Sequence, residues 1–172
     1  MIQLTSIYHR IIAEQQDINV AVDMTCGHGF DTLFLAKFAK KVYAFDIQEQ
    51  AIEETRFRTK DYRNITLIQD NHEHIKKHIH EKVDLAVFNL GYMPGGNLSI
   101  CTQTTSTINA LKHLYDLLAI KGFIIIEVYP HNPEETEAVK NFAKGLEPRH
   151  DVVYLDLINK QNAPSLIVIR KN

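Results

Sequence analysis

Residues 20–32, VAVDMTCGHGFDT, decide how the rest of the chain is read. Val20, Ala21, Val22 and Met24 make a short apolar run, broken only by Asp23, that stops at Cys26-Gly27-His28-Gly29. Residues 31–40 (DTLFLAKFAK) then take up helical spacing, with Leu33 and the apolar residues of 35–38 supplying a buried side. A strand, a glycine turn and a helix in that order open a βαβ unit. Gly27 and Gly29 allow a tight turn and a close approach of backbone to a ligand. The pattern is not GxGxxG, because Thr32 stands at its last position and Asp31 precedes it.

The same alternation continues outward. Residues 41–47 (KVYAFDI), 65–69 (ITLIQ), 83–88 and 123–128 (FIIIEV) read as strands. Residues 48–59, the His- and Lys-rich segment after 69, and residues 104–118 read as helices. In the last of these, Ile108, Leu111, Leu114, Tyr115 and Leu118 recur at intervals of three and four. Pro133 opens another helix, with Glu134, Glu135 and Glu137 near its positive end. Residues 152–158 and 166–169 are two strands with no helix between them. The expectation is a Rossmann-like α/β fold of methyltransferase type: a mostly parallel seven-stranded sheet, helices on both faces and a closing antiparallel hairpin, in one domain spanning 1–172.

In such sheets ligands sit beyond the carboxyl ends of the strands. Asp31 at a helix start would repel a pyrophosphate, whereas Asp23 and Asp31 together suit a cationic ligand. S-adenosylmethionine (SAM), with its sulfonium and ammonium groups, fits that requirement. Helix capping is the simpler alternative for Asp31. Asp46, followed by Ile47 and Gln48, ends the second strand about twenty residues after the glycine turn, the interval at which an acid receives ribose hydroxyls. Asp70, Asn71 and His72 end the third, placed to read an adenine edge, with helix capping an equal reading of Asn71.

The fourth strand ends in FNLGYMPGG, residues 88–96. Amino-directed methyltransferases hold a target nitrogen with an (Asn/Asp)-Pro-Pro-(Tyr/Phe) tetrad. Asn89-Leu90-Gly91-Tyr92 keeps its Asn and its aromatic ring. Asn89 and Tyr92 are therefore the expected catalytic pair. Leu90, Gly91, Tyr92, Pro94, Gly95 and Gly96 are the expected substrate contacts, in a loop thin enough to admit a flat base. A tight strand-to-helix connection is the bland alternative.

The blocks DMTCGHGFDTLFLA, VYAFDIQ, His72-Glu73, FNLGYMPGG, Val128-Tyr129-Pro130 and the Asn159, Asn162, Pro164 set resemble, across nearly the whole chain, the small bacterial SAM-dependent methyltransferases of the rRNA methylase family. The resemblance implies methyl transfer from SAM to the aminomethyl nitrogen of 5-aminomethyl-2-thiouridine at the wobble position of tRNA. It implies SAM contacts at Asp23, Cys26, Gly27, His28, Gly29, Asp31, Thr32, Asp46, Ile47, Gln48, Asp70, Asn71, His72 and Asn89.

The remaining features admit plainer readings. His74 and His78 lie one turn apart, but two ligands without a third do not make a metal site, and none is expected. Arg56, Arg58, Lys60 and Arg63, with Lys40-Lys41 and Lys76-Lys77, are either solvated helix faces or phosphate contacts for RNA. The formal charge of -2 gives no global attraction to nucleic acid or membrane. Two cysteines, no signal-peptide pattern and no apolar run of membrane length point to the cytoplasm. The final hairpin leaves an edge on which a homodimer is conceivable. Competing functions are methylation of a small-molecule amine or of rRNA, a non-catalytic binding module and, least favoured, a nicotinamide-dependent oxidoreductase.

Overall fold

The computed structural model describes residues 3–90 and 102–172. Seven strands form one sheet in the order β3-β2-β1-β4-β5-β7-β6. They are β1 (Val20–Asp23), β2 (Lys41–Asp46), β3 (Ile65–Gln69), β4 (Val83–Asn89), β5 (Leu118–Val128), β6 (Asp151–Leu155) and β7 (Ser165–Arg170). The first five run parallel, and β7 lies antiparallel between β5 and β6. The α/β sheet with its closing antiparallel hairpin is the expected one. Order reverses between β1 and β4, which fixes the crevice where a ligand can sit.

Side chains alternate between two cores, so the central strands are apolar throughout. Phe88, Ile124 and Ile126 face a layer that includes α5 (Thr104–Leu117) and α6 (Pro133–Lys144). Leu85, Val87 and Ile125 face α1 (Leu4–Ala13) and α2 (Phe30–Leu35). Helix α1 was not foreseen from the sequence, although Leu4, Tyr8 and Ile12, four residues apart, are all buried. Asn132 accepts from the Glu135 amide, capping α6 behind Pro133 at its first turn. Among the described residues no helix is long and apolar enough to cross a membrane.

Several elements differ in extent from expectation. Helix α2 stops at Leu35 rather than continuing to residue 40. The reason is tertiary: the Asn64 side-chain amide donates to the carbonyls of Ala36 and Ala39, at 3.0 and 2.8 Å, and satisfies a frayed end. The segment after β3 is a 3-10 turn, His72–His74, followed by a single α-helical turn, α4 (Ile75–His78). Strand β5 starts five residues early, at Leu118, and β6 ends at Leu155.

Helix α3 (Glu49–Arg58) clamps the glycine turn. Thr55 donates to the Gly27 carbonyl at 3.1 Å, and Arg58 Nε to that of His28 at 2.6 Å. Both glycines have positive φ, +47° at Gly27 and +79° at Gly29. A Cβ on Gly29 would also fall 2.8 Å from Thr55 Cα, whereas one on Gly27 would meet nothing within 4 Å. Gly29→Ala should therefore lose about 2–4 kcal/mol, strain plus overpacking, and Gly27→Ala only about 1–2 kcal/mol. Urea unfolding midpoints of the two variants check this.

Candidate active site

A cavity of about 530 Å³ opens at the reversal point between β1 and β4. Its walls bring together Cys26, Gly27, His28, Asp31, Asp46, Ile47, Gln48, Asp70, Asn71, His72 and Asn89, all singled out from the sequence. Asp23, Gly29 and Thr32 stand one layer behind. Asp23 is buried and accepts from Thr32 Oγ1 at 2.6 Å and from the Thr25 amide at 3.2 Å. Leu90 sends its side chain into the core, 2% exposed, while its amide donates to the Glu127 carbonyl at 3.0 Å. Gly91, Tyr92, Pro94, Gly95, Gly96 and Cys101 lie outside the described residues.

The cavity is acidic. Burial, then the charge of Asp31, pushes the Asp23 carboxyl up to about 7, against the opposing hydrogen bond from Thr32. Burial also raises Asp46, although the amides of Gln48 and Gly27 each donate to it at 3.0 Å. Each of its oxygens keeps a lone pair for a hydroxyl. Asp31 is not a mere cap: α2 has no side-chain cap at its start, and the carboxylate is held from across the fold. Tyr8 Oη of α1 lies 2.8 Å from both carboxylate oxygens, and His9 Nε2 lies 2.9 Å from Oδ1.

The third strand end behaves in two ways. Asn71 accepts from the Glu73 amide at 3.0 Å, so it caps the 3-10 turn and also lines the cavity. Asp70 loses to burial but gains more from His78, His74 and the Asn71 amide, which together hold it down at about 2. His74 Nδ1 and His78 Nε2 each reach it at 2.8 Å. Among the described residues no group of three metal-ligating side chains gathers as a metal centre would require. His72 is buried, which lowers it to about 4 and keeps the ring neutral. Its Nδ1 faces the Met24 carbonyl at 3.2 Å, which only accepts, so Nδ1 carries the proton and Nε2 is a bare acceptor without a partner among the described residues.

Asn89 is oriented from two sides. Its amide donates to Thr25 Oγ1 at 2.8 Å, and Tyr129 Oη donates to its side-chain oxygen at 2.8 Å. The carboxamide oxygen retains a second lone pair toward a ligand. Cys26 is unsuited to nucleophilic attack, because burial and then Asp23 push its thiol far up.

Sequence reasoning did not identify Thr25, Phe30, Thr102, Gln103, Ser106, Tyr129 or His131 as parts of the wall. Tyr129 was accessible to it, since that residue directly follows β5, next to the β4 end that carries Asn89. Thr102 is tied down by Glu135, which accepts from Thr102 and Thr107 at 2.7 and 2.6 Å, a link no local pattern reveals.

Residues 42–171 match the family described as "Putative rRNA methylase". An Arabidopsis thaliana protein named tRNA (mnm(5)s(2)U34)-methyltransferase, chloroplastic, is 34% identical over 190 residues, covering 97% of this chain and 69% of its own. The chain belongs to the rRNA methylase family. A Streptococcus mutans methyltransferase homologue, SMU.1697c, crystallised with S-adenosylhomocysteine, superposes with a TM-score of 0.94 at 37% identity, covering 100% of this chain and 99% of that one. An rRNA methylase homologue from Clostridium thermocellum superposes equally, at 0.94 and 35% identity over 100% and 99% of the chains.

This rRNA methylase family member is a SAM-dependent methyltransferase. Its residues suit SAM chemically: the carboxylates answer cationic centres, the glycine turn permits close approach, and the cavity falls within the usual size of small-molecule sites. When bound, SAM supplies a methyl group already activated on sulfur. The protein's own tasks are to align an acceptor and to exclude water.

Tyr8 is fully buried, and removing its hydroxyl strips a donor from a carboxylate that keeps only His9 nearby. Tyr8→Phe should lose about 1.5–3 kcal/mol of stability, measured by thermal or urea unfolding.

Proposed function

We propose that the chain methylates the aminomethyl nitrogen of 5-aminomethyl-2-thiouridine at the wobble position of tRNA. The observation that carries this reading is Asn89. It ends β4 on the cavity wall, its side chain fixed by Tyr129, with a free lone pair for an N–H donor. In this reading Asn89 and Tyr92 hold the amine and its base, Gly91, Pro94, Gly95 and Gly96 supply the substrate contacts, and Leu90 is a core residue rather than the substrate contact expected from the sequence. Gly27, Asp31, Asp46, Asn71 and His72 line the cofactor side, with Asp23 and Thr32 behind them. An alkylammonium has a pKa of about 10, so an acidic cavity attracts the substrate in its charged form and must then remove a proton.

The name of the Arabidopsis thaliana relative supports this substrate. So does the rim. Phe30 lines the cavity, is 61% exposed and carries the Arg58 guanidinium 3.7 Å above its ring. Phe57 is 75% exposed, with Lys60 over it at 5.3 Å. Exposed aromatics beside cations suit stacking with bases and contact with phosphates. We place the enzyme in the cytoplasm. A second copy pairing along β6, where Val152, Val153 and Tyr154 are open, is the proposed homodimer.

Nucleoside mass spectrometry of tRNA from a deletion strain, before and after adding protein and SAM, tests the substrate. Gain of one methyl group by aminomethyl-2-thiouridine is the expected result. Unchanged tRNA with SAM binding intact would move the reading to a small-molecule amine. Asn89→Ala should slow transfer about 100-fold, as loss of an oriented contact at the reacting atom does, while SAM affinity stays near wild type. Arg56→Glu with Lys60→Glu, both exposed and away from the glycine turn, should raise the KM for tRNA and make binding less salt-sensitive, leaving kcat within about twofold.

A further inference from the structure

Glu127 is a buried acid with no role in the account so far. In the parallel register of β4 and β5 it lies directly beside Asn89. Both residues occupy the sheet face of Val87 and Ile125, opposite to Phe88 and Ile126. Glu127 is 4% exposed, and its Oε2 is buried without a hydrogen bond among the described residues. An isolated buried acceptor beside the amine-holding residue is an unstable arrangement unless a proton or a donor arrives.

Among the described residues no cation pairs with its charge. Helix α1 contributes Tyr8, whose hydroxyl is already bound to Asp31 of α2. Asp23 stands on β1, Asn89 on β4, and the β7 residue in register with Glu127 is apolar Leu166. The one charge that acts on it among the described residues is that of Asp31, another carboxylate.

We infer that Glu127 accepts the proton that the substrate ammonium sheds before its nitrogen is methylated. The inference rests on the amine substrate proposed above. Glu127 stands behind the cavity wall, so the proton passes from nitrogen through one water beside Asn89 to the Glu127 carboxylate, giving a neutral amine and a carboxylic acid. The freed lone pair then forms the new N–C bond as the C–S bond of the donor breaks, its electrons staying on sulfur. The product leaves as a secondary ammonium, and Glu127 returns its proton to water. Burial, then Asp31, lifts Glu127 to about 7, which poises it to take up and release a proton near neutrality.

The test compares wild type with Glu127→Gln at saturating SAM. Single-turnover methylation of tRNA carrying 5-aminomethyl-2-thiouridine, purified from a deletion strain, is followed between pH 6 and 9, and SAM affinity and thermal stability without ligand are measured alongside. Wild-type rates should rise and level off just above pH 7. The Gln variant should be at least about 100-fold slower at pH 7, should keep climbing with pH, and should bind SAM within about threefold of wild type. Folding raises the Glu127 pKa above its ordinary 4.5 to about 7, so wild type loses stability as pH rises through that interval. The Gln variant should thus gain stability over wild type between pH 5 and pH 8. A Gln variant with wild-type rate and pH profile overturns the inference, as does weaker SAM binding with an unchanged rate at saturation. If Gln does not fold, Glu127→Asp must slow transfer while retaining the wild-type inflection, and its absence overturns the inference. A wild type silent on this RNA but binding SAM instead removes the substrate reading, and this inference with it.

Discussion

Carboxylates gathered at the carboxyl ends of parallel strands, none of them ion-paired with a lysine or arginine among the described residues, are the constraint on which this structure depends. Asp23, Asp31, Asp46 and Glu127 stand at or near the ends of β1, β2 and β5 and at the start of α2. Desolvation and mutual repulsion raise Asp23 and Glu127 to about 7. Hydrogen bonds from Thr32, Thr25, Gly27, Gln48, Tyr8 and His9 offset part of that penalty. A fold that maintains such a cluster is built for a visiting positive charge. SAM and an alkylammonium acceptor both bring one.

The surrounding architecture serves to hold that cluster still. Helix α3 clamps the glycine turn through Thr55 and Arg58, and α1 fixes Asp31 from outside the sheet. On the acceptor side, Tyr129 and Thr25 fix Asn89, so its carboxamide needs little reorganisation when an amine arrives. Little chemistry is then left to the protein beyond alignment, exclusion of water and removal of a proton.

The sheet and most of the cavity wall were legible because they follow local rules. Alternating strands and helices give the topology, and polar residues at strand ends give Asp46, Asn71 and Asn89. What was not legible depends on distant partners. Nothing within the 31–40 stretch reveals that Asn64 ends α2, or that Tyr8 and His9, more than twenty positions away, bind Asp31. The amphipathic spacing of α1 was present in the sequence, but its short polar-interrupted pattern could not show which residue it would meet. Glu127 reads as one polar residue in an apolar strand. Only the register with Asn89 gives it meaning.

The central claim, that these carboxylates are arranged to receive a cation, is tested most directly by calorimetry of SAM binding at pH 7 in buffers of different ionisation enthalpy. A site in which Asp23 retains a proton near neutrality should release it when the sulfonium and ammonium enter. The account predicts a binding heat that varies with buffer in the sense of net proton release. A heat independent of buffer would contradict it.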